Sequence, residues 1–311
     1  ENEGTPIEAA QYEAPTFDTD LAMAEPYTPD NSNGTDDYRC FVLDWPHQER
    51  KYITGFGVTP GEPSIVHHII AFLAPPDSVA QAEANDAADP GPGYRCFGEP
   101  GIGATAWLGS WAPGGIDSKY PEGTGLEVQA GSKVIVQVHY NTLSAEPIPD
   151  VTSVRFETAD VVGEEGNFIL WANPLWLKGG MNLPAGMNDI VHNFTLDPTR
   201  FYGGNEMTFD SGGLHMHLLG TSAETWVTRQ VGGEECLFDI PQREFYWQQG
   251  VRFLIARTGL AGDPLSRECH WDNSLDNQPV VAGVPLTPAD RNWGDGSTDE
   301  MCLGVYYVTI R

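Results

Sequence analysis

The sequence predicts an all-β protein made of two sandwich-like halves. Three observations carry this expectation. Glycine (35) and proline (24) punctuate a chain of 311 residues, and punctuation this dense suits many short strands better than long helices. The apolar runs between those breaks include β-branched runs alternating at a period of two. No strand-then-helix alternation runs through the chain, which argues against a parallel α/β sheet. The length allows two domains of ordinary size.

The elements follow in order. Residues 1–37 are polar, acidic and Pro-containing, and read as an extended arm. Strands are expected at 38–45, 51–58 and 64–73, the last enclosing two adjacent histidines. Residues 81–88 suggest one short helical turn. Residues 90–125 are rich in Gly and Pro, carry Trp107 and Trp111, and read as loops. A clear β-branched strand covers 133–140, and 153–158 closes the first half. The polar step at 160–166 is the expected boundary, which divides the chain into 1–163 and 164–311. The second half restarts at 168–171. It continues with strands at 190–196, at 207–210 leading into 211–220, at 225–228 and at 251–256. A Gly-Gly hairpin signal stands at 232–233. Residues 259–299 read as a polar, Pro-rich excursion, and 302–310 as the last strand. The halves show no sequence repeat of fixed period.

Charge excludes some function classes. Sixteen basic residues against 44 acidic ones leave a net charge of −28, which argues against nucleic-acid binding. Such a surface attracts cations. No 18-residue apolar run is present, so no membrane helix is expected. The chain begins at Glu1, as a processed, mature form would. Five cysteines, at 40, 96, 236, 269 and 302, form no C-x-x-C pair. Their wide spacing suits two disulfides and one leftover thiol in an oxidising compartment. Asn33-Gly-Thr and Asn193-Phe-Thr are N-glycosylation triplets, a pattern common by chance.

The histidines concentrate the chemistry. Five of the eight, His67, His68, His139, His215 and His217, lie inside apolar strand runs. A buried neutral imidazole needs a hydrogen bond or a metal to offset its desolvation. A hydrogen-bonded core role is the ordinary reading for any one of them, and five together strain it. His215 and His217 are two apart, so a strand puts both on one face, as chelation requires. His67 and His68 are adjacent, so a regular strand sends them to opposite faces. They can share an ion only at a strand end, at a bulge, or with the metal in line between them. His139 is a comparable candidate from another strand. The natural division is His67, His68 and His139 in the first half, and His215 with His217 in the second. The second set lacks a third ligand. Met301 could supply a soft thioether suited to copper, although a Met at a strand start is ordinarily core filler.

Four motifs in order, Val66-His67-His68-Ile69, Gln137-Val138-His139-Tyr140, Leu214-His215-Met216-His217-Leu218 and Asp299-Glu300-Met301-Cys302, resemble those of the copper type II, ascorbate-dependent monooxygenases. Asp37-Tyr38-Arg39-Cys40, Trp107 with Ala112-Pro113-Gly114-Gly115, and the stretch from Tyr120 to Glu127 are similar as well. The resemblance covers about residues 17–311. It implies two tandem jelly-roll domains, each with a copper site, facing one another across an open, solvated interdomain cleft. His67, His68 and His139 would hold an electron-storing copper. His215, His217 and Met301 would hold the copper where O₂ is activated and a C–H bond hydroxylated, with ascorbate as reductant. Gln137 and Tyr38 would orient or support the first site. The resemblance also implies disulfides Cys40–Cys96 and Cys269–Cys302, with Cys236 left as a free, buried thiol. A secreted, extracellular or periplasmic protein acting on a small organic substrate follows, with no nucleic-acid or membrane partner.

The peptide-amidating members of the family hold their substrate's carboxylate with an Arg two residues before the H-x-H motif. Gly213 stands there in this chain, and Leu303 and Val305 occupy the places of polar residues after the Met-Cys pair. A substrate other than an amidated peptide is therefore expected. Two other classes compete. One is a secreted copper-binding or electron-transfer protein using the same ligands. The other is a cupin-like metalloenzyme, which wants a Glu four to six residues after the second His, whereas Glu224 is seven after.

Overall fold

The computed structural model describes residues 13–32, 34–245, 250–281 and 284–311. Among them the chain is all-β, with one α-helix and three short 3₁₀ turns. Two sheet-on-sheet layers account for most of it. In the first, a five-stranded sheet runs Tyr94–Arg95, Asp36–Asp44, Lys133–Asn141, Val66–Ala74, Ala106–Trp111. It packs on strands Thr19–Ala22, Ser153–Ala159, Lys51–Thr59 and Thr124–Val128. Phe41, Ile69, Val136 and Val138 from one sheet meet Ile53, Phe56, Val154 and Phe156 from the other in a single apolar cluster. Each such side chain contributes roughly 1.5–3 kcal/mol by leaving water.

Lys133–Asn141 shows how this layer serves the histidines. It is the middle strand of its sheet and is buried almost end to end. Val134, Val136, Val138 and Tyr140 face the sandwich core. Alternation turns Ile135, Gln137 and His139 to the opposite face. There the helix Pro76–Ala88 and the Cys40–Cys96 bridge cover part of the sheet, with Ile70, Phe72, Ala82 and Ile135 in one cluster. The sequence suggested a single helical turn. The helix starts five residues earlier, because Pro76 enters at a first-turn position that needs no N–H donor.

In the second layer, strands Glu164–Trp171, Leu303–Ile310, Met207–His215 and Gly250–Gly259 face the sheet Ile190–Leu196, Leu265–Trp271, Gly220–Arg229, Gly233–Ile240. Trp171, Met207, Phe209 and Val308 pack there on Ala223, Val227, Leu265 and Trp271. The two layers share one nine-stranded sheet, joined where Thr124 and Gly125 pair in parallel with Glu164 and Glu165. Tyr307 belongs to the last strand but packs into the first core, and its hydroxyl hydrogen-bonds Thr124 Oγ1 at 2.8 Å. Gly166 makes room, since a Cβ there would overlap the Tyr307 ring.

Three expectations are corrected. The arm contributes strand Thr19–Ala22, paired with Ser153–Ala159, because Leu21 and Met23 have apolar space to fill. The supposed loops of 90–125 hold strands Ala106–Trp111 and Thr124–Val128, whose short length hid them among glycines. The excursion of 259–299 contains strand Leu265–Trp271, which lies between two partners and carries Cys269. Asn33 lies outside the described residues. No helix among the described residues is long and apolar enough to cross a membrane.

Candidate metal centre

His67, His68 and His139 converge. One ring nitrogen of each lies within 4.8 Å of the others, and His68 Nδ1 is 3.3 Å from both His67 Nδ1 and His139 Nδ1. His68 pairs directly with His139 across neighbouring strands, and the register slips between Val66 and His68. His67 is the extra residue of that bulge. The irregularity lets two adjacent histidines reach one point, which a regular strand forbids. His139 Nε2 lies 2.9 Å from Asp36 Oδ1. The carboxylate accepts a hydrogen bond from Nε2–H, which leaves the Nδ1 lone pair turned inward.

Burial keeps the His67 and His68 rings neutral. Desolvation, with the neighbouring His139 and His215 adding to it, pushes His67 down to about 2 and His68 well below the usual range. Burial works against ionisation of Asp36, but hydrogen bonding and charge from His139, with Ser297 and Asn141, hold its carboxyl well below the usual carboxylate range.

His215 and His217 form a second pair, ring centroids 4.9 Å apart. The strand ends at His215, so His217 stands just beyond it and depends on other supports. Its backbone N–H donates to Glu300 Oε2 at 3.0 Å, and its ring Nδ1 lies 3.2 Å from the Asp299 carbonyl. That carbonyl can only accept, so Nδ1 carries the proton and Nε2 is left with a lone pair. Arg243 Nη1 donates to His217 O at 2.5 Å, and Nη2 to Met216 O. Desolvation and the nearby His215 keep the His217 ring neutral too. Leu303 pairs with His215 across the strands. Beyond the paired strands, the backbone N–H groups of Met301 and His217 both donate to Glu300 Oε2, which holds the two segments side by side. Met301 is buried, and its neighbour Cys302 is bridged to Cys269.

The two groups touch. His68 and His215 meet edge to face with centroids 5.4 Å apart. The family's arrangement is an open, solvated cleft, and the sequence leaves open whether the two groups stay apart or close up; in this structure they are in contact. Three contacts close the space. Ser297 donates its N–H and hydroxyl to Asp36, at 3.0 and 2.7 Å. The Tyr38 hydroxyl donates to Asp295 O at 2.6 Å. Phe245 stacks on the His67 ring with centroids 4.2 Å apart.

Of the two supporting residues expected, Tyr38 lies flat on His139, centroids 4.0 Å apart and planes 8° apart. Gln137 turns to the disulfide instead, its Nε2 3.4 Å from Cys96 Sγ. Both disulfides, Cys40–Cys96 and Cys269–Cys302, are present. Cys236 is free but exposed, not buried: it stands on the outermost strand of its sheet. The remaining histidines have structural partners: His47 meets Thr19, His192 the Asn182 carbonyl and His270 Glu268. Tyr306 and Tyr307, beyond Leu303 and Val305, are both buried in cores.

Sequence reasoning missed Asp36, Arg243, Phe245, Ser297 and the role of Glu300. Glu300 adjoins a motif residue and could have been noticed; the others are distant in sequence and carry no local signal. A cavity of about 480 Å³ near Tyr27, Asp30, Arg39 and Arg95 contains none of the histidines. Arg39 is committed there to Asp89 and the carbonyls of Pro92 and Gly93, so we read it as structural.

The donor set fits a metal ion. Three inward ring nitrogens leave too few protons to satisfy their mutual contacts, and a cation among them relieves this. Three imidazoles alone suit zinc as well as copper. A neighbouring thioether favours copper.

Residues 20–147 match the family model for the N-terminal domain of copper type II ascorbate-dependent monooxygenases. The chain is 26% identical over 300 residues to DBH-like monooxygenase protein 1 of Gallus gallus, covering 88% of this chain and 44% of that protein. It thus spans less than half of that relative's length. Among solved structures it is similar to PNGase F, a glycosylasparaginase from Flavobacterium meningosepticum, with a TM-score of 0.36, 9% identity and coverage of 94% of this chain and 95% of that one. Empty particles of cowpea mosaic virus give a TM-score of 0.33 at 9% identity, covering 96% and 89%. Likeness at these scores carries no argument.

Proposed function

We propose that this chain, a member of the copper type II ascorbate-dependent monooxygenase family, is a secreted or periplasmic dicopper enzyme that hydroxylates a C–H bond of a small organic substrate with O₂ and ascorbate. On this reading residues 1–163 and 164–311 are its two jelly-roll domains. His67, His68 and His139 hold one copper, and His215, His217 and Met301 hold the other. The observation that carries it is the convergence of His67, His68 and His139, with His215 in ring contact with both His68 and His217, at the positions of the family's motifs.

When bound, copper supplies one-electron chemistry and activates O₂. The chain's own residues do the rest. Burial keeps the imidazoles of His67, His68 and His217 neutral and ready as ligands. Asp36 and the Asp299 carbonyl set which nitrogen of His139 and His217 faces inward. Glu300 accepts from the backbone N–H groups of His217, Leu219 and Met301 and from Trp271 Nε1. It thereby ties the H-x-H segment to the Met301 segment.

The substrate is not a peptide awaiting amidation. Gly213 offers no side chain, sitting in mid-sheet between Val305 and Gly250. The cation nearby, Arg243, is turned to the carbonyls of Met216 and His217. Glyoxylate release from a peptidyl-glycine substrate, measured beside ascorbate-dependent O₂ uptake over a panel of small organic compounds, tests this. Uptake with panel compounds and no glyoxylate is expected; rapid glyoxylate release would contradict it. A copper-carrying protein without oxygenase activity is the second reading, since the same donors bind copper in either case. It predicts copper binding without substrate-dependent uptake.

A further inference from the structure

The donors of both groups are neutral, so any fixed charge near them comes from other parts of the fold. Two residues of opposite sign stand out among those that supply it. Asp36 holds His139 at 2.9 Å, and its carboxylate also accepts from Ser297 N–H at 3.0 Å, Ser297 Oγ at 2.7 Å and Asn141 Nδ2 at 2.8 Å. Donors this numerous stabilise an ionised carboxylate. At the other group, Arg243 grips the carbonyls of His217 and Met216. Among the described residues no carboxylate forms an ion pair with it. Burial lowers its pKa to about 10, which leaves it charged at neutral pH. In a chain with 16 basic residues against 44 acidic ones, a guanidinium spent on this segment stands out.

We propose that Asp36 and Arg243 set a redox gradient between the two histidine groups, the first favouring Cu(II) at His67, His68 and His139 and the second favouring Cu(I) at His215, His217 and Met301. This rests on the two-copper reading above. The physics is Coulombic. Oxidation adds one positive charge to the bound ion. An anion nearby eases that step and a cation opposes it, both more strongly in a buried site than in water. A carboxylate on the outer nitrogen of a ligating histidine also raises the basicity of the inner one, again favouring the more charged ion. The gradient runs the way an electron-storing site and an O₂-activating site require. Other acids lie close: Glu300 touches the H-x-H segment, and Asp295 and Asp299 stand on the loop between the groups. They are common to the parent and to variants at Asp36 and Arg243, so the differences isolate these two residues.

The test is an anaerobic redox titration of the copper-loaded full chain, with the Cu(II) signal of each site followed by electron paramagnetic resonance. In Asp36→Asn the first site's Cu(II)-to-Cu(I) ratio at fixed potential should fall at least tenfold, about 59 mV for a one-electron couple, while the second site, farther from Asp36, moves less in the same direction. In Arg243→Met the second site should move as far in the opposite direction, and Arg243→Lys, which keeps the charge, should restore most of it. Ser297→Ala gives a second check on sign. It strips the hydroxyl donor from Asp36 while the backbone N–H stays, strengthens the bond to His139, and should move the first site opposite to Asp36→Asn. Two coppers per chain with unmoved potentials, or both sites moving equally, would overturn the gradient alone. Fewer than two coppers in the parent protein would overturn the reading beneath it.

Discussion

The ring of His68 meets the ring of His215 edge to face, centroids 5.4 Å apart and planes 77° apart. One histidine comes from the bulged strand of the first layer and the other from the end of a strand in the second. Their contact is held by bonds that cross from the first layer to the 295–297 loop, and these make it testable. Tyr38→Phe removes the hydroxyl that donates to Asp295 O and should cost about 1 kcal/mol of stability. The same change should speed amide hydrogen exchange in residues 295–299, while the stacking on His139 persists. Unchanged exchange in that loop would show that the hydroxyl does not hold it.

Glu300 is the larger support. It is fully buried and accepts from three backbone N–H groups and the Trp271 indole. Burial raises its pKa to about 7 in spite of those donors. Glu300→Ala leaves all four donors unpaired and should destabilise by about 3 kcal/mol or more, read by urea unfolding. Glu300→Gln should cost less, because one amide oxygen still accepts. In a folded Glu300→Gln chain, copper binding at the His215, His217 and Met301 group should weaken about 10- to 100-fold, with the other group unaffected.

The buried histidines make the metal-free fold sensitive to acid. His67 titrates near 6.5 when unfolded but is held down to about 2 in the fold. Between those values the unfolded chain binds the extra proton, so stability rises with pH and is lost as pH falls below 6.5. One such group changes stability by about 1.4 kcal/mol per pH unit inside that window. His68 and His217 act in the same direction. Urea midpoints of the metal-free protein should therefore drop steeply from about pH 7 to about pH 5. A flat profile would mean the rings are not buried as described.

Cys236 should react with iodoacetamide in the folded protein, since it is exposed and outside both disulfides. Cys236→Ser should leave stability within about 0.5 kcal/mol. Labelling only after denaturation would contradict its position on the outermost strand.

What the sequence made legible follows from where each signal is stored. Strands such as Ile190–Leu196 and Lys133–Asn141 announce themselves through local alternation and β-branching. The condition on His67 and His68, a bulge if both are to meet one point, follows from strand geometry, and the register slip after Val66 satisfies it. Short strands such as Ala106–Trp111 were hidden, because glycines and prolines around them mimic a loop. Arg243 and Phe245 were invisible for another reason. They touch His217 and His67 from a loop whose position depends on the packed sheets, and no local pattern marks them. Asp36 lay just beyond the predicted start of its strand, two residues before Tyr38. Whether the two groups stand apart or together was not legible, because it depends on side chains reaching the 295–297 loop across the fold.

The claim that this chain is a two-copper monooxygenase meets its most direct test in one comparison: copper content and ascorbate-dependent O₂ uptake of the parent chain against Met301→Ile, with a substrate that supports uptake. Two coppers in the parent, with uptake abolished in Met301→Ile while the copper at His67, His68 and His139 remains, is the result expected. A single tightly bound zinc in the parent, or uptake that survives the loss of the Met301 thioether, would contradict it.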